Sequence, residues 1–265
     1  MTDSRFLARP PRRKRFGQHF LHDPTVLERI VSALGPRRGD RIVEIGPGGG
    51  ALTQLLLESG SDALDAVEID RDLAGVLRDR FASYPGFTLH QGDALAFDFA
   101  ALARLRSGPL RVVGNLPYNI STPLLFHLLA NAASIQDMHV MLQREVADRI
   151  AAAPGDAAYG RLTIMLAPWV SVEQLFEVGP GAFRPPPKVW STVIRLSVRP
   201  QPSFPVSPHF AQVVAAAFSH RRKTLRNALR SLVSREQIEA AALDPGVRPE
   251  TLAPEAFNTL ARQLD

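Results

Sequence analysis

The stretch Arg41-Ile-Val-Glu-Ile-Gly-Pro-Gly-Gly-Gly50, followed by Ala51-Leu-Thr-Gln-Leu-Leu-Leu-Glu58, decides the fold. Its first five residues are mostly apolar and β-branched and read as a buried parallel strand. The glycines that follow let backbone come close to a ligand. The next eight residues carry helical spacing with no breaker. Strand, glycine-rich turn and helix make the nucleotide-binding βα unit, whose helix N-terminus offers free N–H groups. A Gly-x-Gly-x-Gly match alone is weak, and its force comes from what ends the next strands.

Ala63–Ile69 is the second strand. It carries Glu68, 22 residues beyond Gly46, a distance at which an acid accepts the hydroxyls of a ribose. The plainer reading is a solvated strand end. The helix after it places Leu73, Val76, Leu77 and Phe81 on one face. The third strand, Phe87–Gln91, runs into Gly92-Asp93-Ala94, where Asp93 is either a turn former or an acceptor for the amino group of an adenine.

The fourth strand, Leu110–Gly114, delivers Asn115-Leu116-Pro117-Tyr118 at its carboxyl end, where open α/β sheets bind ligands. Pro117 has no N–H and biases Leu116 towards extended backbone, so the chain leaves as a stiff turn. Ser121-Thr122-Pro123 then reads as an N-cap with proline at the first helical position. This pattern suits methylation of an exocyclic amine on a base. The lone pair of such an amine is conjugated into the ring. An amide oxygen (Asn115) and a backbone carbonyl (Leu116) can accept its two hydrogens and favour the nucleophilic form. Tyr118 can hold the base by stacking, worth about 1–3 kcal/mol. The plainer reading is a simple Asn-x-Pro-Tyr turn.

Further along, Asp23-Pro24 caps a helix that Gly35-Pro36 stops, and Tyr159-Gly-Arg161 opens another helical segment. Phe183-Arg-Pro-Pro-Pro-Lys188 sets a phenylalanine before a stiff run. Phe183 is either a clamp on the base opposite Tyr118 or a core side chain. Arg199–Pro208 is proline-rich and marks a domain boundary, beyond which only helical patterns occur. The expected organisation is a basic arm over residues 1–15, an α/β domain over 16–198, a linker over 199–208 and a small all-helical domain over 209–265.

Net charge is +5, placed unevenly. Residues 1–22 hold six Lys/Arg against one Asp, and Ser219–Arg235 holds six Lys/Arg and no acid. Two basic clusters on a balanced body point to a polyanion. The chain has no cysteine, which excludes disulfides and thiolate metal sites and suits the cytoplasm. It has no long apolar run and no Walker lysine, and no metal is expected. A dinucleotide and S-adenosylmethionine share the βα architecture. The third glycine of the dinucleotide pattern falls on Ala51, a variant the pattern tolerates, so it excludes little; Asn115-Pro117-Tyr118, however, has no evident use in hydride transfer. S-adenosylmethionine needs one ribose, one adenine and a methionine moiety, and fits better.

Taken together, Arg15-Phe-Gly-Gln-His-Phe-Leu21, Glu44–Gly50, Glu68-Ile-Asp70, Asp93-Ala94, Gly114–Ser121, Tyr159-Gly-Arg161, Phe183–Val189 and Arg221–Asn227 resemble the small-subunit ribosomal RNA adenine dimethyltransferases over nearly the whole chain. The resemblance implies a Rossmann-like methyltransferase domain with a helical C-terminal domain. It implies S-adenosylmethionine-dependent N6,N6-dimethylation of two adjacent adenines near the 3′ end of small-subunit rRNA, in an immature subunit; a monomer is expected. Cofactor contacts are implied at His19, Leu21, Gly46, Gly48, Glu68, Asp93 and Asn115. Asn115, Leu116, Tyr118 and Phe183 form the implied base pocket, with the target adenine taken out of its stack. Arg221, Arg222, Lys223 and Arg226 are expected on RNA phosphates. One departure stands out: the family usually has Asn where this chain has His19. The ring can still donate or accept a hydrogen bond, and it adds an ionisable group. Related large-subunit rRNA methyltransferases are the runner-up. An RNA-binding assembly factor and a NAD-dependent oxidoreductase are more distant alternatives.

Overall fold

The computed structural model describes residues 19–219 and 223–265, so the arm expected over residues 1–15 lies outside it. The strands are β1 (Phe20–Leu21), β2 (Arg41–Ile45), β3 (Ala63–Glu68), β4 (Phe87–Gln91), β5 (Leu110–Asn115), β6 (Ile135–Gln143), β7 (Val170–Val178), β8 (Phe183–Arg184) and β9 (Ser191–Val198). The helices are α1 (Pro24–Leu34), α2 (Ala51–Glu58), α3 (Arg71–Arg80), α4 (Phe99–Leu105), α5 (Ser121–Ala130), α6 (Arg144–Ala151), α7 (Arg161–Leu166), α8 (Phe210–Ala217), α9 (Leu225–Leu229), α10 (Arg235–Ala240) and α11 (Pro254–Ala261). They form two compact units: Met1–Ala147 with Glu173–Val198, and Asp148–Val172 with Arg199–Asp265.

The first unit is built on a seven-stranded sheet of order β4-β3-β2-β5-β6-β9-β7. β4, β3, β2, β5 and β6 run parallel, and β9 is antiparallel to β6. The chain steps outward from β2 through β3 to β4, then restarts on the other side at β5. This change of direction opens a crevice beyond the carboxyl ends of β2 and β5. Both strands are buried over nearly their whole length, as their continuous apolar runs require. They also lie unusually close. A Cβ on Gly114 would stand 2.4 Å from the Ile45 carbonyl oxygen, so only glycine fits there. Glu44 is opposite Val113, which brings Gly46 and Asn115 out of the sheet side by side.

α1 forms as its caps dictate. Asp23 accepts the Val26 N–H at 3.2 Å, Pro24 opens the helix, and Gly35 closes it in the left-handed conformation. Leu27, Ile30 and Leu34 pack into the core. The helix C-terminus is held by Arg111, which donates to the Leu34 carbonyl at 2.7 Å. Arg111 also pairs with Asp137 (2.9 Å) and Asp40 (2.7 Å), and Arg106 pairs with Asp65 (2.8 Å). These buried and partly buried pairs lie towards the amino ends of the strands.

Two local expectations need correction. Val76 is exposed; Ala74 joins Leu73 and Leu77 on the buried face of α3, where the smaller side chain fits the approach to the sheet. Ser121 is the first residue of α5 and not its N-cap. The turn that hydrogen-bonds Ile120 N–H to the Pro117 carbonyl (3.1 Å) already brings Ile120 into helical backbone, so Pro123 falls at the third helical position. The Ser121 hydroxyl instead donates to the Tyr118 carbonyl at 3.2 Å.

The second unit is helical apart from its first residues of β7, with its own core around Phe210, Val214, Leu225, Leu229, Phe257 and Leu260. It includes Asp148–Val172, a segment that sequence patterning groups with the larger domain. Tyr159 and Ile164 are the reason. Both belong to this helical core, and the Tyr159 hydroxyl donates to the Leu252 carbonyl at 2.8 Å. Among the described residues no helix is long and apolar enough to cross a membrane.

Candidate active site

A cavity of about 780 Å³ opens at the carboxyl edge of the sheet, within the first unit. Its floor is the glycine turn. Gly46, Gly48 and Gly50 have φ of 68°, 57° and 78°, the left-handed region that glycine enters without strain. A Cβ on Gly48 would stand 2.9 Å from the Phe20 ring, so the turn passes beneath β1 as bare backbone. Arg80 braces the turn by donating to the Gly49 carbonyl at 2.8 Å.

The acids lie where their spacing places them. Glu68 ends β3 in the cavity wall, buried. One carboxylate oxygen accepts the Gly48 N–H (3.1 Å) and the other the Asp70 N–H (2.9 Å). Burial raises the Glu68 pKa above its usual range, against these two backbone hydrogen bonds. Ile69, the next residue, is an exposed apolar side chain in the wall. Asp93 lines the cavity beyond β4, with one oxygen accepting the Leu95 N–H at 2.9 Å. It is therefore a turn former with a second oxygen to spare. Glu44 is buried as well. Burial pushes its pKa up to about 8, the Thr53 hydroxyl (2.6 Å) opposes that, and the Glu68 charge adds to it.

The other wall comes from β1 and the end of β5. Asn115 donates its Nδ2 to the His19 carbonyl at 2.9 Å, which leaves Oδ1 as an acceptor. Leu116 follows, fully buried, its N–H donating to the Met141 carbonyl at 3.2 Å. The Tyr118 hydroxyl shares a 2.7 Å hydrogen bond with the buried Ser191 Oγ. Burial pushes the Tyr118 phenol above its ordinary value, against that bond, so it stays neutral and is no general base. The His19 ring stacks on Tyr118, centroids 5.7 Å apart, and its Nδ1–H donates to the Pro185 carbonyl at 2.8 Å. Leu21 completes the wall.

Phe183 does not face Tyr118. It is 2% exposed and packs in the apolar core, opposite Leu21 in the β1–β8 ladder. Side chains alternate along a strand, so the inward Phe183 leaves Arg184 to line the cavity. The ring that faces Tyr118 is that of His19. Arg221 and Arg222 lie outside the described residues. In the second unit Lys223 is half-buried and Arg226 exposed, just before and within α9. Sequence reasoning missed Arg80, Ser191 and Thr53. Only Arg80 left a signal, a cation at the last turn of the helix after Glu68.

The donor set fits S-adenosylmethionine. Three carboxyls (Glu44, Glu68 and Asp93) converge on the cavity. Glu68 and Asp93 suit ribose hydroxyls and an adenine amino group, while Glu44, held largely protonated by burial, adds little charge beside them. Among the described residues no group of His, Cys, Asp and Glu could hold a metal ion.

The profile of the family described as Ribosomal RNA adenine dimethylase matches residues 11–265. A Ribosomal RNA small subunit methyltransferase A from Pseudomonas aeruginosa is 56% identical over 255 residues, covering 95% of this chain and 94% of the relative. One of the same name from Marinobacter nauticus is 54% identical over 242 residues, covering 91% and 87%. Among solved structures, the 23S rRNA methyltransferase ErmE superposes with a TM-score of 0.71 at 27% identity, covering 93% of this chain and 99% of that one. A dimethyladenosine transferase from Plasmodium falciparum gives a TM-score of 0.77 at 24% identity, covering 91% and 96%, and supports the fold.

Proposed function

This chain belongs to the ribosomal RNA adenine dimethylase family, and from that premise we propose how its own residues methylate two adjacent adenines near the 3′ end of small-subunit rRNA. It is an S-adenosylmethionine-dependent rRNA adenine dimethyltransferase. The observation that carries the assignment of roles is the orientation of Asn115. With Nδ2 committed to the His19 carbonyl, Oδ1 is the group left to meet a base amine.

S-adenosylmethionine, when bound, supplies an electrophilic methyl group. Glu68 would hold its ribose hydroxyls and Asp93 its adenine amine, with Gly46, Gly48, His19 and Leu21 lining the same cavity. A target adenine leaves its stack and enters beside Asn115–Tyr118. Tyr118 holds the ring face, with its hydroxyl fixed by Ser191 and its own ring backed by His19. Asn115 Oδ1 and the Leu116 carbonyl accept the two amine hydrogens. That withdraws the lone pair from conjugation and stabilises the charge that develops on nitrogen. The amine becomes acidic only after it has reacted, so its proton passes to water and no protein base is needed. Phe183 supports this wall from the core. Arg221, Arg222, Lys223 and Arg226 hold phosphates, and the substrate is an immature small ribosomal subunit.

The test uses purified protein, tritiated S-adenosylmethionine and undermethylated ribosomal subunits, with nucleoside analysis of the product. Label in N6,N6-dimethyladenosine of small-subunit RNA is expected. Label confined to large-subunit RNA would overturn the substrate assignment.

A further inference from the structure

Trp190 has no part in the site described above, yet it stands at the same edge of the sheet. In the β6–β9 ladder Ser191 lies opposite Gln143, the last residue of β6, and Met141 of β6 lies opposite Asn115. Trp190 is thus the residue just beyond the carboxyl edge where the cavity opens. Its neighbour Ser191 holds the Tyr118 hydroxyl at 2.7 Å.

Trp190 is also held in place. The Arg144 N–H donates to its carbonyl at 2.9 Å, and the indole rests over Gly179, whose built Cβ would lie 3.5–3.8 Å from three ring carbons. Even so, 47% of the residue is exposed, and Val189 beside it is 44% exposed. Indole is large and apolar, and leaving it in water forgoes the burial it would gain elsewhere. Arg184, the last residue of β8, and Lys188, in the loop between β8 and β9, are exposed. A fixed aromatic face flanked by cations matches the chemistry of single-stranded RNA, whose bases stack while their phosphates seek positive charge. A protein partner would have no need of the cations.

We propose that Trp190 is a stacking platform for an rRNA base adjoining the target adenine, with Arg184 and Lys188 on the neighbouring phosphates. Trp190 is a positioning residue and touches neither the methyl donor nor the reacting amine. The proposal rests on the reading of the chain as an rRNA adenine methyltransferase.

The chain has two tryptophans, so in a Trp169→Phe background Trp190 is the sole indole. A single-stranded RNA oligonucleotide with two adjacent adenines is titrated in without S-adenosylmethionine, and indole emission is followed. Saturable quenching is expected. In methylation assays on undermethylated subunits, Trp190→Ala should raise KM for the subunit about 10-fold. It should leave kcat and S-adenosylmethionine affinity near wild type, and Trp190→Phe should restore most of the loss. Unquenched emission with an unchanged KM overturns the proposal. A raised KM without quenching by RNA also overturns it and assigns the surface to a ribosomal protein. A wild-type protein that methylates no RNA defeats the reading as an rRNA adenine methyltransferase instead, which the quenching experiment does not test, so the two failures are distinguishable.

Discussion

Asn115 Nδ2 and the His19 carbonyl meet at 2.9 Å across 96 residues of chain. The bond joins the segment before β1 to the end of β5 and sets which way the Asn115 amide faces.

Replacing Asn115 with alanine removes both the pin and the acceptor. Turnover should fall about 100- to 1,000-fold, the scale for removing one preorganised hydrogen bond to the transition state. S-adenosylmethionine binding should weaken less than about 10-fold, because the glycine turn and Glu68 remain. Single-turnover rates beside calorimetric binding measure the two. Equal losses would contradict the assigned role.

Tyr118 has two separable parts. Tyr118→Phe keeps the ring but strands the buried Ser191 hydroxyl, so it should cost about 1–2 kcal/mol of stability and little activity. Tyr118→Ala should raise KM for RNA about 10-fold or more, because the base has no ring to stack on. Urea melts and steady-state kinetics on both variants separate the effects.

Glu44 makes stability depend on pH. Its folded pKa, about 8, stands above its ordinary 4.5, so the folded state keeps a proton that the unfolded chain releases. Its contribution is complete below pH 4.5 and declines as pH rises to 8. His139 works the other way: burial lowers it from 6.5 to about 4, so its contribution grows with pH across that interval. The two oppose each other below pH 6.5; above it Glu68, whose pKa burial also raises, adds to the limb set by Glu44. Between pH 6.5 and 8 the wild type should lose about 2 kcal/mol through this group. Glu44→Gln should flatten that limb in denaturant titrations. An identical slope in the variant would remove Glu44 as the cause.

The basic cluster should announce itself through salt. Neutralising Arg221, Arg222 and Lys223 together should flatten the dependence of log affinity on log salt by about 0.7–0.9 for each phosphate that no longer meets a cation. Filter binding of small-subunit RNA at several salt concentrations gives the slope. An unchanged slope would return these residues to plain solvated surface.

Much of the first unit was legible because its signals are local. Arg41–Glu58 carries strand, turn and helix in one run, Glu68 and Asn115 each end a strand, and Asp93 lies two residues beyond one. The close approach of β2 and β5 at Gly114 left no mark beyond the glycine itself. Phe183 was ambiguous because its direction depends on pairing with β1, a contact across 162 residues between Leu21 and Phe183. Ser191 gave no signal at all, since nothing in its neighbourhood names Tyr118 as a partner. Tyr159 and Ile164 misled in the opposite sense. They look like any apolar stripe, and only the helices after residue 208 reveal which core they enter.

The strands of the first unit are polarised along their length. Their amino ends carry buried pairs such as Arg111 with Asp137, and their carboxyl ends carry the cavity and the exposed Arg184 and Lys188. From Arg111 to Asn115 is four residues, about 13 Å of strand. That exceeds the screening length of about 8 Å at 0.15 M salt, and buried pairs are screened far less than exposed charges. Ionic strength is therefore a selective handle on this molecule. A high-salt wash should strip nucleic acid from the carboxyl edge while the ties beneath it hold, yielding folded enzyme free of RNA.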